Sequence, residues 1–170
     1  SNGKPILISG TYLIQGSIEV SSVIRMYGRG TLKVGAAWTK INTGAITYMH
    51  GITLSPVTDY ANNFITGYMK YMTFTNCTFK GFDNIFKNTS GAFGGYLSFE
   101  KCTFTNNNTI LNCDTNMNYV NINECNINNT KSFAFISGHR LENITLDQCV
   151  LEQNYTLIGS NRDICYLHPF

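Results

Sequence analysis

The sequence predicts an all-β chain that folds as a right-handed, single-stranded parallel β-helix, a solenoid of about six or seven coils. Three observations support this prediction. A short segment recurs four times at a nearly constant spacing, apolar and polar residues alternate within each copy, and the composition favours strand over helix.

The nine-residue repeat is the clearest element of the sequence and falls within residues 71–165. Its cysteine recurs at a nearly constant interval, as Cys77, Cys102, Cys125 and Cys149. A fixed period of this size is typical of a solenoid. The copies are YMTFTNCTF from Tyr71, YLSFEKCTF from Tyr96, YVNINECNI from Tyr119 and NITLDQCVL from Asn143.

Alternation within each copy predicts a half-buried strand, in which residues such as Met72 and Phe74 face inward. The polar residue before each cysteine breaks this alternation, so we expect a corner there. The cysteine and the apolar residue two positions later then face inward again. Since one such coil cannot bury its own inward row, its neighbours must stack on it. A second apolar pair completes each coil, at Ile85/Phe86, Ile110/Leu111, Phe133/Ala134 and Leu157/Ile158.

The segment before the repeat is less regular but can be followed. We place residues 52–57 in the register of residues 72–77, so Ile52, Leu54 and Val57 would face inward in a coil somewhat shorter than those that follow. Phe64 and Ile65 then form the later apolar pair of that coil.

Composition limits the classes of function. The hydrophobic content of 43% can build the core of one domain, residues 1–170. Only 13% of residues are charged, the net charge is +2, and no run of Lys or Arg occurs. We therefore expect neither a nucleic-acid partner nor membrane insertion. The start at Ser1, without Met, suggests a fragment of a longer protein.

The six cysteines are compatible with a zinc site, disulfides or free thiols. No C-x-x-C pair is present, so we predict no metal and no cofactor. Cysteines in adjacent coils would lie close enough for a disulfide, yet a small apolar side chain also suits a tight corner. We favour a ladder of reduced, buried thiols and leave Cys113 and Cys165 unassigned. The predicted ladder comprises Cys77, Cys102, Cys125 and Cys149.

Two features of the chain resemble a known superfamily. One is the strand that ends in Asn-Cys-x-Phe or a variant of it, followed by an Asn-rich turn and an apolar strand. The other is the opening GTYLIQGSIEVSSVIRMYGRGTLKV, with its turn Gly28-Arg29-Gly30. In both, the chain is similar to the pectin-lyase-like β-helices, which include bacteriophage tailspikes, pectate lyases and polygalacturonases. The resemblance implies the fold and leaves the activity open, because lyases, hydrolases, epimerases and binding proteins share it.

The outward residues of the repeated strands form three predicted rows. A tyrosine row beside amides and hydroxyls suits sugar binding, because aromatic faces pack on pyranose rings. A subunit interface or a plain solvated face remains an alternative. The candidate substrate-binding residues are Tyr71, Tyr96, Tyr119, Asn121 and Asn123.

Three acidic residues are candidates for catalysis. Glu100 and Asp147 share a register two coils apart, about 9 to 10 Å between backbones, close to the carboxylate spacing of inverting glycosidases. Ten acidic residues on so small a stack will, however, often produce one such pair by chance. Asp83 stands where polygalacturonases carry acidic residues before a strand. The paired Asp of that family is missing here, which favours a turn residue.

Basic residues offer one candidate for the proton abstraction that lyases perform. It is His139-Arg140, which a solvated turn also explains. His50 and His168 are isolated in the sequence.

Three functions therefore remain. The first is a polysaccharide-recognising module of a tailspike-like or extracellular protein, with a polysaccharide or cell-surface glycan as partner. The second is a polysaccharide lyase or glycoside hydrolase, so whether the chain is an enzyme stays open. The third is an assembly module of a trimeric fibre or virion protein. All three predict an extracellular or virion-associated location, and a homotrimer is compatible with each.

Overall fold

The computed structural model describes residues 4–16, 19–20, 22–35, 40–41, 46–66, 71–88, 95–113, 117–136, 141–152, 156–160 and 165–167. Within these ranges every regular element is a strand and no helix occurs. The strands are β1 (Ile6–Ile8), β2 (Thr11–Ile14), β3 (Glu19–Val20), β4 (Ile24–Gly28), β5 (Thr31–Val34), β6 (Lys40–Ile41), β7 (Ile46–His50), β8 (Thr53–Pro56), β9 (Asn63–Thr66), β10 (Tyr71–Thr75), β11 (Thr78–Lys80), β12 (Asn84–Asn88), β13 (Tyr96–Glu100), β14 (Thr103–Thr105), β15 (Thr109–Cys113), β16 (Met117–Asn123), β17 (Asn126–Asn128), β18 (Ser132–Ile136), β19 (Leu141–Asp147), β20 (Val150–Glu152), β21 (Thr156–Ser160) and β22 (Cys165–Leu167).

The strands form three long parallel sheets, to which each full coil contributes one strand. Among the described residues, the first sheet has eight strands in the order β1-β4-β7-β10-β13-β16-β19-β22. The second has seven, β2-β5-β8-β11-β14-β17-β20, and the third has five, β9-β12-β15-β18-β21. Strands β3 and β6 pair separately. The predicted class, a parallel β-solenoid, is confirmed, with slightly more strands in the first sheet than the six or seven coils we expected.

The register between coils follows the nine-residue repeat. Tyr71 pairs with Tyr96, which pairs with Tyr119, which in turn pairs with Asn143. In the third sheet Phe86 pairs with Leu111, and the same row continues through Ala134 and Ile158. Both parts of the predicted coil therefore stack as the spacing indicated.

The register predicted for residues 52–57 is wrong. Strand β7, not this segment, pairs with β10, and Leu54 pairs with Phe79. Val57, expected inside, is exposed. The later apolar pair is placed as predicted, since Ile65 pairs with Phe86.

The error arises because the inward row of β7 contains a polar residue, Thr47, before Met49, whereas Ile52 and Leu54 show the expected apolar alternation. In the actual register Tyr71 pairs with Ile46 on one side and with Tyr96 on the other. The two offsets along the chain are equal, so the coil before the repeat already has the length of the first repeated coil.

The predicted corner before each cysteine is confirmed by its backbone. Its residue takes a left-handed conformation, with φ between 49° and 54°. This conformation turns the chain sharply after the first-sheet strand, and the corner amide of Asn76 donates to the Glu100 carbonyl of the next coil. The corner residues are Asn76, Lys101, Glu124 and Gln148.

The glycine turn near the start of the chain occupies the equivalent corner of an earlier coil. Gly28 has a φ of 142°, and a Cβ placed there would collide with the Ile8 carbonyl oxygen. A Cβ on Gly30 would likewise collide with the Gly10 carbonyl oxygen. This turn therefore needs glycine for both its conformation and its close packing between coils.

Stacked phenylalanines fill the interior. Phe74 lies on Phe99 with ring centroids 5.3 Å apart and planes 11° apart. Phe79 lies on Phe104 at 5.1 Å and 8°. All four side chains are fully buried. Such face-to-face contact in each row is what repetition of one inward residue produces when coils stack in register.

Leu151 departs from the predicted inward row. It pairs with Ile127 as expected, but its side chain is 44% exposed. It belongs to β20, which ends the second sheet within the described residues. An inward residue on a terminal strand lacks a covering neighbour on one side, so burial falls at this end of the described stack.

The cysteine ladder is reduced, as predicted. Cys77, Cys102, Cys125 and Cys149 are free thiols, and all but the half-buried Cys149 are buried. The Cys102 amide donates to the Cys125 sulfur at 3.3 Å. Hydrogen bonds with the Cys125 and Cys77 thiols, together with burial, raise the pKa of Cys102, which keeps this thiol protonated near neutral pH. The side chains of Cys113 and Cys165 lie outside the described part of the chain.

Candidate ligand-binding face

The outward side of the first sheet presents three rows of side chains, because alternate residues of a strand point to opposite faces. We call this surface, formed by β4, β7, β10, β13, β16 and β19, the outer face. Its first row includes Tyr71, Tyr96 and Tyr119 on adjacent strands, which we call the tyrosine row. Successive ring centroids are 6.1 and 6.4 Å apart, and the ring planes are inclined by 41° and 44°.

The tyrosine row is open to solvent. Tyr71 is 44% exposed and Tyr119 is 53% exposed, with the half-buried Tyr96 between them. Asn143 continues the row on the backbone, but its side chain lies outside the described set. The predicted row thus forms a continuous aromatic strip on three adjacent strands.

Hydroxyl, amide and carboxylate groups lie beside the tyrosines. Asn121 and Asn123, the two predicted amide contacts, are half-buried on β16. The pairing confirms both predicted polar rows in full register. The middle row is Thr73, Ser98, Asn121 and Thr145, and the outermost row is Thr75, Glu100, Asn123 and Asp147.

The two carboxylates of the outermost row share one side of the sheet, as the register predicts. Asn123 pairs with both Glu100 and Asp147 and therefore stands between them. Lys101 Nζ lies 4.0 Å from the Glu100 carboxylate and 3.7 Å from that of Glu124. These side chains are about half exposed, so their ion pairs add little stability, but a positive charge does accompany Glu100.

Asp83 does not join the other two acidic candidates. It lies at the entry to β12 in the third sheet, whereas Glu100 and Asp147 end strands of the first sheet. Its carboxylate accepts hydrogen bonds from the amide groups of Asn84 and Asn108, both at 2.8 Å. These contacts tie Asp83 to two coils and fit the turn role.

Of the basic candidates, the structure describes His50 alone. His139, Arg140 and His168 lie outside the described residues. His50 is not isolated in the structure, since it ends β7 and pairs with Tyr27 on one side and Thr75 on the other. It therefore belongs to the outermost row of the outer face.

A groove that the sequence reasoning missed lies at the β4 end of the outer face. It has a volume of about 450 Å³, and the guanidinium carbon of Arg25 lies 5.4 Å from the centre of the Tyr48 ring on its wall. The misplaced register of residues 52–57 hid these residues. The spacing of the first two repeats, applied to the coil before them, aligns Tyr48 with Thr73 and would have revealed the groove. Its lining side chains include Arg25, Tyr27, Tyr48, His50, Thr73 and Thr75.

Comparison with protein-family models, with curated protein sequences and with solved structures finds no match in any of the three. Among the described residues, no group of three or more His, Cys, Asp or Glu side chains is placed to hold a metal ion. In the same ranges no helix is long and apolar enough to cross a membrane. The geometry of the outer face is therefore what supports a function.

Proposed function

We propose that the outer face binds a polysaccharide, and that the chain is a recognition module of the pectin-lyase-like β-helix superfamily. The observation that carries this proposal is the tyrosine row, whose exposed and evenly spaced rings run beside unbroken polar rows. Aromatic faces pack on the apolar sides of sugar rings, while hydroxyl and amide groups meet sugar hydroxyls.

The rigidity of this surface also supports sugar binding. Each tyrosine is anchored on a strand that pairs with a neighbour on both sides, and the stacked Phe74 and Phe99 lie beneath the strands of Tyr71 and Tyr96. A preformed surface loses little conformational freedom on binding, so more of the contact energy appears as affinity. A weakly charged polymer of repeated units suits a weakly charged surface of repeated rows.

The natural partner under this proposal is a cell-surface or extracellular glycan, and the location is extracellular or on a virion. A homotrimer would be compatible with it if the outer face stayed exposed. If the tyrosine row were instead the trimer interface, the chain would be an assembly module and the tyrosines would be shielded as protein concentration rises.

A polysaccharide-degrading activity is the second candidate, favoured by the shared side and register of Glu100 and Asp147. Asp83 is not part of that candidate pair, because its carboxylate is held in the third sheet. Incubation with acidic and neutral polysaccharides, followed by assays for reducing ends and unsaturated uronates, tests this activity. Product formation that is lost in Glu100→Gln and Asp147→Asn would establish it.

The binding proposal is tested by Tyr96→Ala, which removes the middle ring. We expect affinity for the retained polysaccharide to fall about tenfold or more, as loss of one aromatic stacking contact implies. Affinity electrophoresis through a panel of polysaccharides selects the ligand, and calorimetry measures the change. Tyr12→Ala, which removes an exposed ring from the second sheet, is the matched control.

Two results would contradict this proposal. One is unchanged affinity in Tyr96→Ala, with the fold shown intact by circular dichroism. The other is failure of the wild-type chain to be retained by any polysaccharide of the panel.

A further inference from the structure

The cysteine ladder at the first corner differs from one end of the described stack to the other. Cys77, Cys102 and Cys125 are buried, whereas Cys149 is half-buried. Cys149 immediately precedes β20, and β20 is the last strand of the second sheet within the described residues. Cys149 is therefore the thiol of the ladder that a small solute can reach.

The Cys149 side chain points back toward the coil of Cys125. Its sulfur lies 3.5 Å from the carbonyl oxygen of Ile122, which belongs to the strand that leads to Cys125. The backbones of the two coils are joined at the same place, because the Val150 amide donates to the Cys125 carbonyl at 2.9 Å. A hydrogen bond also links the two thiols, so the pair is in direct contact.

Adjacent coils bring this pair within the range that a disulfide requires. Paired strands lie about 4.8 Å apart, and the Cα atoms of disulfide-bonded cysteines lie about 4.4 to 6.8 Å apart. Since the two backbones are already hydrogen-bonded here, bond formation needs rotation of side chains rather than displacement of a coil. The other neighbouring pairs of the ladder share this spacing, but both of their thiols are buried.

Cys125 is well placed to carry negative charge. The Cys102 amide donates to its sulfur at 3.3 Å. Hydrogen bonds from the Cys102 and Cys149 thiols lower the pKa of Cys125, although burial acts in the opposite direction. The contact with Cys125 raises the pKa of Cys149, so the two sulfurs share one proton after the pair has lost the other. This matters because the thiolate is the nucleophile in disulfide exchange.

We propose that Cys149 and Cys125 are a disulfide-forming site that reacts with a small-molecule disulfide. The pair loses one proton to water, and the Cys149 thiolate attacks the small disulfide, which forms a mixed disulfide and releases one small thiolate. The Cys125 proton passes to that thiolate, and the Cys125 sulfur attacks Cys149. The protein disulfide forms, and the second small thiolate leaves and takes up the proton that water received. The protein thus loses two electrons and two protons, and the small disulfide becomes two thiols.

The disulfide joins the coils of β17 and β20 at the end of the described stack where burial falls. An oxidising setting is needed, and the extracellular location proposed above provides one. Sugar binding by the outer face is not required for this reaction.

Oxidation of the reduced, full chain by oxidised glutathione tests this site. Alkylation of the remaining thiols, proteolysis and mass spectrometry then show which cysteines are linked. Cleavage after Lys, Arg and Glu places Cys125 and Cys149 on separate peptides, each without a second cysteine. We expect a bond between these two peptides, while Cys77 and Cys102 stay free because the folded core encloses them.

Cys125→Ala is the decisive variant, and Cys77→Ala is its matched control. Both remove one buried thiol of the ladder, but Cys77 belongs to a coil that does not adjoin the coil of Cys149. Without Cys125 the mixed disulfide has no neighbouring thiol to resolve it, so glutathione should remain attached to Cys149. Cys77→Ala should form the same bond as the wild-type chain, and circular dichroism shows whether each variant is folded.

Three results in the wild-type chain would overturn this site. They are a Cys149 thiol that stays free after oxidation, a glutathione adduct that persists on Cys149, and a bond from Cys149 to any cysteine other than Cys125. If Cys125→Ala does not fold, the wild-type peptide map still decides between these results and the expected bond.

Discussion

In the three coils that begin at Tyr71, Tyr96 and Tyr119, the two corners use the same left-handed backbone but different interiors. The first corner joins the first sheet to the second, and its left-handed residue is followed in each of four coils by an inward cysteine. The second corner lies before the third sheet and is left-handed at Gly81, Asn106 and Asn129. There the following residues are Phe82, Asn107 and Thr130, and all three are buried.

This difference shows that the backbone conformation of a corner is fixed, whereas the identity of the interior residue that follows it can vary. The coil needs a left-handed residue at both places, because extended backbone cannot turn so sharply. The interior position that follows the corner needs only a side chain that fills the space and leaves no buried polar group without a hydrogen bond. The first corner does this with one small residue repeated, whereas the second uses a ring, an amide and a hydroxyl in turn.

Asn107 fills the second corner of its coil with a buried amide. Its side chain is 1% exposed. Its Oδ1 accepts a hydrogen bond from the Phe82 amide at 3.0 Å, and its Nδ2 donates to the Phe79 carbonyl at 3.1 Å. One amide thus replaces missing backbone partners in the preceding coil, which stabilises the stack across the second corner.

The largest effect is expected from Asn107→Ala. It leaves the Phe82 amide and the Phe79 carbonyl buried without their partner, so the free energy of unfolding should fall by about 3 kcal/mol. Urea denaturation followed by circular dichroism measures this. Asn106→Gly is the control, since glycine keeps the left-handed conformation and the change removes only an exposed hydrogen bond with Asn129, which should contribute below about 1 kcal/mol. Equal losses in both variants would refute the special role of Asn107.

A smaller effect is expected from Cys102→Ser at the first corner. A hydroxyl is costlier to bury than a thiol, so we expect a loss of about 1 to 2 kcal/mol in the same urea experiment. Cys149→Ser, at a half-buried position of the same row, should lose less than half as much. If Cys149→Ser lowers the free energy of unfolding more than Cys102→Ser does, burial does not determine the cost of substitution in the cysteine row.

The smallest effect is expected from Gln148→Gly. Gln148 has a φ of 49°, and glycine adopts this conformation without steric cost, although it loses more freedom on folding. We expect a gain of about 0.5 kcal/mol, measured as a higher urea midpoint. Asn76→Gly should gain less, because asparagine tolerates the left-handed region better than glutamine. A larger gain for Asn76→Gly would contradict this account.

The same comparison explains which features the sequence revealed. The first corner and the tyrosine row were predictable, because an identical cysteine and a break in alternation mark every copy. The second corner carries no constant residue, so nothing in the pattern identified Asn107 as its buried amide. In the coil of Tyr48 and His50, Ile52 replaces the cysteine and the buried Thr47 stands where the repeats have an apolar residue, so the alternation indicated the wrong register.

Placement across the coil was harder to predict than placement along the stack. The register that brings Glu100 and Asp147 to one row follows from counting residues. The position of Asp83 depends instead on how far the chain turns between sheets, which its neighbours in sequence do not specify. The groove required both kinds of information, since it joins three strands at the end where the spacing was misassigned.

Stacking in register fixes the distance between equivalent side chains along the outer face. Each step from strand to strand is one backbone hydrogen-bond repeat, roughly 4.8 Å, and the inclined tyrosine rings follow it with centroids 6.1 and 6.4 Å apart. The repeat distance of the side chains along the outer face is therefore set by the spacing of the strands. Under the proposed function, a polymer whose own repeat matches this spacing would gain a contact with every added unit, whereas a polymer with a different repeat would lose register within a few units.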